Sequence, residues 1–201
     1  MDRHKWNPPL ESNRLSLSPL TPEDADELVA VLSDPTLYRF MGGAPPGLEE
    51  LQRRYALLAA RRSPDGEERW LNWVIRDRHT GKALGTLQAT VRAGESPPVA
   101  LIAWVLGTEN HGRGYASESA RAMLTFLGHM GVSEITAYIH PGHTASNRVA
   151  AAIGMEPTKT WENGERAWRL TNLTETQDET DGPTEYALAV SLTSPSPARG
   201  W

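Results

Sequence analysis

The stretch VALIAWVL (99–106), GTENHGRG (107–114) and YASESARAMLTFLGHM (115–130) decides how the rest of the chain is read. Residues 99–106 form a nearly unbroken apolar run. It is too short for a typical helix and carries β-branched and aromatic residues, which predicts a buried strand. The next eight residues are polar and glycine-rich. From Tyr115 the spacing becomes helical, with Ala116, Ala120, Met123, Leu124 and Leu127 on one face. A strand, a flexible turn and a helix start in succession make an anion site, because the first helical turn presents unpaired N–H groups and the positive end of the helix dipole. Gly112 and Gly114 let the backbone approach phosphate oxygens and adopt φ > 0, and Arg113 adds a fixed positive charge. The Walker pattern fails here for want of Gly-Lys-Ser/Thr, and the dinucleotide fingerprint fails because Ser117 stands where it needs Gly.

Downstream of the long helix, 134–139 reads as a strand. Ser146, Val149, Ala150 and Ile153 then define a short helix ended by Gly154, and 157–161 with 166–172 form a hairpin around Glu162-Asn163-Gly164. Upstream, 14–20 alternates as a first strand. Thr21-Pro22-Glu23-Asp24 starts a helix with Ala25, Leu28, Val29 and Leu32 on its apolar face, and Asp34-Pro35 ends it. Leu48, Leu51, Tyr55 and Leu58 repeat the pattern in a second helix, and 70–76 and 83–92 are strands joined by a short turn. Residues 36–43, with Tyr38, Phe40 and Met41, read either as core packing with a turn or as the border of a substrate groove. Trp104, Trp161 and Trp168 likewise either pack in the sheet or line an acceptor cleft.

Composition sets the outer bounds. With 201 residues and 39% hydrophobic content the chain suits one domain, and the absence of cysteine excludes disulfides and thiolate metal sites. No apolar leader or bilayer-length run is present, so a soluble, cytoplasmic protein without membrane contact is expected. A net charge of −5 argues against a general nucleic-acid binder and favours cationic or amine substrates. The domain plan is a flexible arm over 1–12, a folded domain over 13–172, and an acidic linker and tail over 173–201. Within that tail, 185–192 suits one more strand, which would replace the last sheet strand, add an edge or pair with a second subunit. Residues 194–201 are expected to be disordered, and monomer and homodimer both remain open.

The turn Gly112-Arg113-Gly114-Tyr115-Ala116 after an apolar strand resembles motif A of the GNAT superfamily of acyl-CoA N-acyltransferases, with Glu109 at the position where that motif usually has Gln or Arg. The order β-α-α-β-β-β-α-β-α-β-β matches as well. The opening strings 13–17, 20–25 and 38–42 resemble the RimJ/RimL-type branch, which includes acetyltransferases of ribosomal-protein N-termini. That branch also usually has Asn-x-x-Ser-x-x-Val at the helix after the fifth strand. Here His143 replaces the Asn, while Ser146 and Val149 remain. The resemblance covers residues 13–170 and implies an α/β (α+β) GNAT fold: a mixed, mostly antiparallel sheet of about six to seven strands flanked by about four helices.

It also implies a function, acetyl-CoA-dependent N-acetylation of a primary amine, at a peptide or protein N-terminus or on a small molecule, by direct transfer. The alternative is a catalytically weak acyl-CoA-binding sensor on the same scaffold. In the family, the central strand and its neighbour part after a bulge and admit the pantetheine arm, which places Val105, Leu106 and Gly107 along the arm. The diphosphate then meets backbone from His111 through Gly112, Arg113, Gly114, Tyr115, Ala116 and Ser117. Ser146 is the candidate group near the thiolate or, equally, a helix cap, and His143 is a candidate cofactor contact. Candidates for the base are Glu109, Glu162 and Glu165. Tyr38, Phe40, Met41 and Trp104 are expected at the substrate cleft. His140 and His143 lack an acidic or cysteine partner in sequence, so no metal is expected.

Overall fold

The computed structural model describes residues 6–92, 97–171 and 173. One mixed sheet of eight strands runs in the order β1-β2-β3-β4-β5-β6-β8-β7. The strands are β1 (Leu10–Glu11), β2 (Leu15–Pro19), β3 (Glu68–Asp77), β4 (Ala83–Arg92), β5 (Val99–Leu106), β6 (Glu134–Ile139), β7 (Glu156–Glu162) and β8 (Glu165–Thr171). The helices are α1 (Ala25–Val31), α2 (Leu48–Leu58), α3 (Tyr115–His129) and α4 (Thr144–Ala152). Every neighbouring pair is antiparallel except β5 and β6, whose parallel pairing requires the crossover that α3 provides.

The eighth strand corrects the expectation of six or seven, and it comes from the segment expected to be a loose arm. Leu10 and Glu11 pair with Leu17 and Ser16. Asn7 is buried and its amide Nδ2 donates to the Asn72 carbonyl at 3.0 Å, while the Trp73 indole donates to the Pro8 carbonyl at 2.8 Å. These bonds to β3 hold the arm from Asn7 onward. Leu173, the first residue of the expected linker, packs in the main core, while the rest of the linker, the expected strand over 185–192 and the tail over 194–201 lie outside the described residues.

Two apolar layers sandwich the sheet. On one face Leu28 of α1, Leu32 just past its end, and Leu51 and Tyr55 of α2 pack with Val74 and Val105. On the other, Met123 and Leu127 of α3 pack with Leu71, Trp73, Ile102 and Ile135. Met123 and Leu127 have no exposed area, and burying each such side chain contributes roughly 1.5–3 kcal/mol. The start of α1 follows its sequence signal. Thr21 N–H donates to Asp24 Oδ2 at 2.8 Å, and the first turn, Pro22–Asp24, is a 3-10 turn leading into the helix. Arg76 of β3 then ties this helix to the sheet through Asp24 at 2.6 Å and Glu27 at 2.7 Å.

The feature that positions the site is the short reach of the β5–β6 ladder. It pairs only Val99, Ala100 and Leu101 with Glu134, Ile135 and Thr136. Beyond Leu101, β5 stays in register with β4 as far as Leu106, while β6 follows β8 to Ile139. The two central strands therefore part. The expected bulge is absent, since the β4–β5 register is unbroken from Arg92↔Val99 to Gly85↔Leu106. The opening arises because each strand keeps its outer antiparallel partner.

Candidate active site

At the end of β5 the chain turns through a 3-10 turn, Thr108–Asn110, before α3. Gly107 N–H donates to the Leu84 carbonyl at 2.9 Å, and the buried Asn110 returns its N–H to Gly107 O at 2.9 Å. His111 Nε2 lies 2.8 Å from the Leu106 carbonyl; because a carbonyl only accepts, the ring proton sits on Nε2. Gly112 and Gly114 then adopt φ of 74° and 78°, the left-handed region that admits glycine at least cost. No backbone N–H from Gly112 to Ser117 has an acceptor among the described residues. These six donors stand at the helix start, where the sequence reading expects an anion site.

Where β5 and β6 part, a cavity of about 340 Å³ opens, lined along β5 by Leu101 to Trp104 and along β6 by Ala137 to Ile139. This is near the lower end of the roughly 300–1,000 Å³ of small-molecule sites. Phe40 and Met41 close one side, His140, His143 and Ser146 another, and Glu162 and Glu165 of the last hairpin supply carboxylates. Burial raises the pKa of Glu165 above the ordinary carboxylate value, and the nearby His140 only partly opposes this.

Phe40 packs against two imidazoles. Its ring centroid is 4.8 Å from that of His143, with the planes inclined by 27°, and 5.2 Å from that of His140. His140 Nδ1 accepts from Gly142 N–H at 3.0 Å, which places its proton on Nε2 when the ring is neutral. His143 stands at the N-cap of α4, and its Nδ1 accepts from Ser146 N–H at 3.5 Å. Burial, and then the neighbouring His111 and His140, lower the His143 pKa below the ordinary histidine value. Ser146 is therefore in the first turn, two residues past its start and with its own N–H capped, and its reading as the helix cap is overturned. The cap is His143.

The sequence candidates divide. Phe40, Met41, Trp104, His143, Ser146, Glu162 and Glu165 line one cavity. Tyr38 does not: it is buried in the core under α1 and α2, and its hydroxyl donates to the Leu32 carbonyl at 3.0 Å. Glu109 is exposed and absent from the cavity lining, since the inward position of its turn belongs to Asn110. Trp161 is 55% exposed, and Trp168 packs against the main core. Val105 and Leu106 are core residues beyond the cavity, on the stretch of β5 leading to the glycine turn. Sequence reading missed Gln88 and Thr90, which face the cavity from β4 and are buried. The Thr90 hydroxyl has no partner among the described residues. The signal was Thr86, Gln88 and Thr90 at alternate positions of a central strand, a polar row where a core face was due. Among the described residues, no cluster of His, Asp or Glu could hold a metal, and no helix is long and apolar enough to cross a membrane.

A family model described as an acetyltransferase (GNAT) domain matches residues 14–156. The uncharacterized protein YkkB of Bacillus subtilis (strain 168) is 36% identical over 89 residues, 44% of this chain and only about half (52%) of that protein. The uncharacterized N-acetyltransferase YoaA of the same organism is 26% identical over 150 residues, 74% of this chain and 83% of that protein. The structure of AAC(6')-Ib in complex with ribostamycin and coenzyme A shares the fold, with a TM-score of 0.67 and 19% identity over 85% of this chain and 100% of that one.

Proposed function

The chain belongs to the GNAT acetyltransferase family, whose model spans residues 14–156, and from that premise we propose that it moves the acetyl group of acetyl-CoA directly to a primary amine. The observation that carries this reading is the continuity of the site. The parting of β5 and β6 runs between six unpaired N–H donors at the start of α3 and a cavity holding two carboxylates. In this reading the diphosphate lies on Gly112 to Ser117. The pantetheine arm fills the gap beside Val105, Leu106 and Gly107, as an added strand would. The thioester then reaches the cavity beside Trp104 and Ser146.

Transfer in a ternary complex needs few groups. The neutral amine attacks the thioester carbonyl, a C–N bond forms and the C–S bond breaks. The amine proton passes to Glu165, directly or through water, and the leaving thiolate takes a proton from the Ser146 hydroxyl, which regains one from water as Glu165 releases its own. Glu162 adds negative charge that draws a cationic amine into the cavity. The acceptor is a peptide or protein N-terminus, as the RimJ/RimL-type resemblance implies, or a small-molecule amine, as the ribostamycin complex of the structural relative suggests. The test is release of free thiol from acetyl-CoA over a panel of N-terminal peptides and small amines. Amine-dependent release supports the enzyme reading. Saturable coenzyme A binding with no amine-dependent release across the panel would favour a sensor.

A further inference from the structure

We infer that Arg14, a residue distant in sequence from the glycine turn, is a positioning residue for the diphosphate site. The inference rests on the acetyl-CoA reading above and deepens it. Arg14 directly precedes β2, yet its guanidinium reaches across to the start of α3. Nη2 donates to the Arg113 carbonyl at 3.1 Å, Nε donates to Glu118 Oε2 at 2.7 Å, and the guanidinium carbon sits 4.7 Å from the centroid of the Tyr115 ring. Glu118 is itself fixed from two further sides, by Arg14 N–H at 2.9 Å and the Ser12 hydroxyl at 2.7 Å on Oε1.

The consequence lies in the geometry of one peptide bond. A trans peptide is planar, so its C=O and the following N–H point in opposite directions. With the Arg113 carbonyl held by Arg14, the Gly114 N–H must face the other way, to the side free of Arg14. Gly114 is at φ 78° and ψ 6°, a conformation that glycine leaves readily when unrestrained. The bond to Arg14 removes that freedom before the anion arrives. The planar guanidinium suits this task because one fork reaches both the carbonyl and the carboxylate, which a lysine ammonium cannot do with the same geometry.

The test compares two acetyl donors on the full chain. Arg14→Ala is expected to raise the dissociation constant for coenzyme A at least about tenfold in calorimetry, and Arg14→Lys to fall between it and wild type. With S-acetylpantetheine, which lacks the diphosphate, kcat/KM for an accepted amine should stay within about twofold of wild type in both variants, and kcat with saturating acetyl-CoA should change little. An unchanged coenzyme A affinity in Arg14→Ala overturns the proposal. So does an equal loss with both donors, since general damage to the fold would act on both. Wild-type protein that binds no coenzyme A removes the acetyl-CoA reading itself, and this outcome is visible before any variant is made.

Discussion

Gly85 on β4 and Val105 on β5 pass so close that a Cβ on Gly85 would overlap the Val105 carbonyl oxygen and come within 2.7 Å of the Leu106 Cα. At this point β5 lies hard against β4 while its other edge has lost β6. The close approach is thus one wall of the opening that holds the site. Gly85→Ala must push the Val105–Leu106 backbone outward, into the space assigned to the pantetheine arm. A loss of about 1–3 kcal/mol of stability is expected, as for other overpacked sites, together with weaker coenzyme A binding. Melting and calorimetry on one sample decide it. Wild-type behaviour in both would mean that β5 can shift without consequence.

The glycine turn should respond differently, because there is space around it. A Cβ on Gly112 would meet nothing within 4 Å, and one on Gly114 would meet only Arg14 Nη2 at 3.7 Å. The cost of Gly112→Val or Gly114→Val is conformational, since β-branched residues rarely adopt φ near +75°. The added branches also stand where phosphate oxygens would approach. Each variant is expected to fold, with a lowered melting temperature, and to lose coenzyme A binding. Retained affinity in both would place the anion elsewhere.

The strands and helices were legible because period and punctuation agreed: the 99–106 run, the helical spacing from Ala116 to Leu127 and the Asn163-Gly164 turn each match an observed element. Two kinds of information were out of reach. The strand at Leu10–Glu11 is too short to show a period, and it forms only because β2 offers its edge. The roles of Tyr38, Glu109 and Ser146 depended on where one side chain points in a short 3-10 turn or at a helix start. Local sequence does not fix that direction: at 108–110 packing chose Asn110 over Glu109 for the inward position, and at 143–146 the cap fell to a histidine.

That capping arrangement separates stability from catalysis. His143→Ala should cost about 1 kcal/mol, the usual loss for an N-cap. Ser146→Ala should stay within about 0.5 kcal/mol of wild type and lower kcat more than coenzyme A affinity, as expected for a group used mainly in the transition state. The pH dependence has a definite sign. Burial depresses the His143 pKa, so the unfolded chain binds the extra proton first; stability is complete above the unfolded value of about 6.5 and declines as pH falls toward the folded pKa. His143→Asn, which can still cap, should remove that part of the acid sensitivity. Urea melts at pH 7.5 and 5.5 measure it, and identical pH slopes in wild type and variant would contradict the assignment.

The acceptor is the prediction with the widest reach. In the proposed role of base Glu165 must be ionised, and its raised pKa then moves the lower limb of the rate profile toward neutrality. Activity should rise with pH through that limb, and Glu165→Gln should lower kcat and abolish the limb while leaving coenzyme A binding intact. A carboxylate, even a raised one, is a weak base against a lysine ammonium of pKa about 10.4 but is better matched to an α-ammonium of about 7.7–8.0. Near neutral pH a far larger fraction of α-amines than of lysine ε-amines is already neutral, so the site needs to handle only the proton released during attack. The chain should therefore favour a low-pKa primary amine, at a peptide N-terminus or on a small molecule, over protein lysine. Matched peptides with a free N-terminus and blocked lysine, or the reverse, compared over a pH series, test this directly. Faster acetylation of the lysine peptide at pH 7 would refute the preference, and would require Glu162 and Glu165 together to form a stronger base than either carboxylate alone.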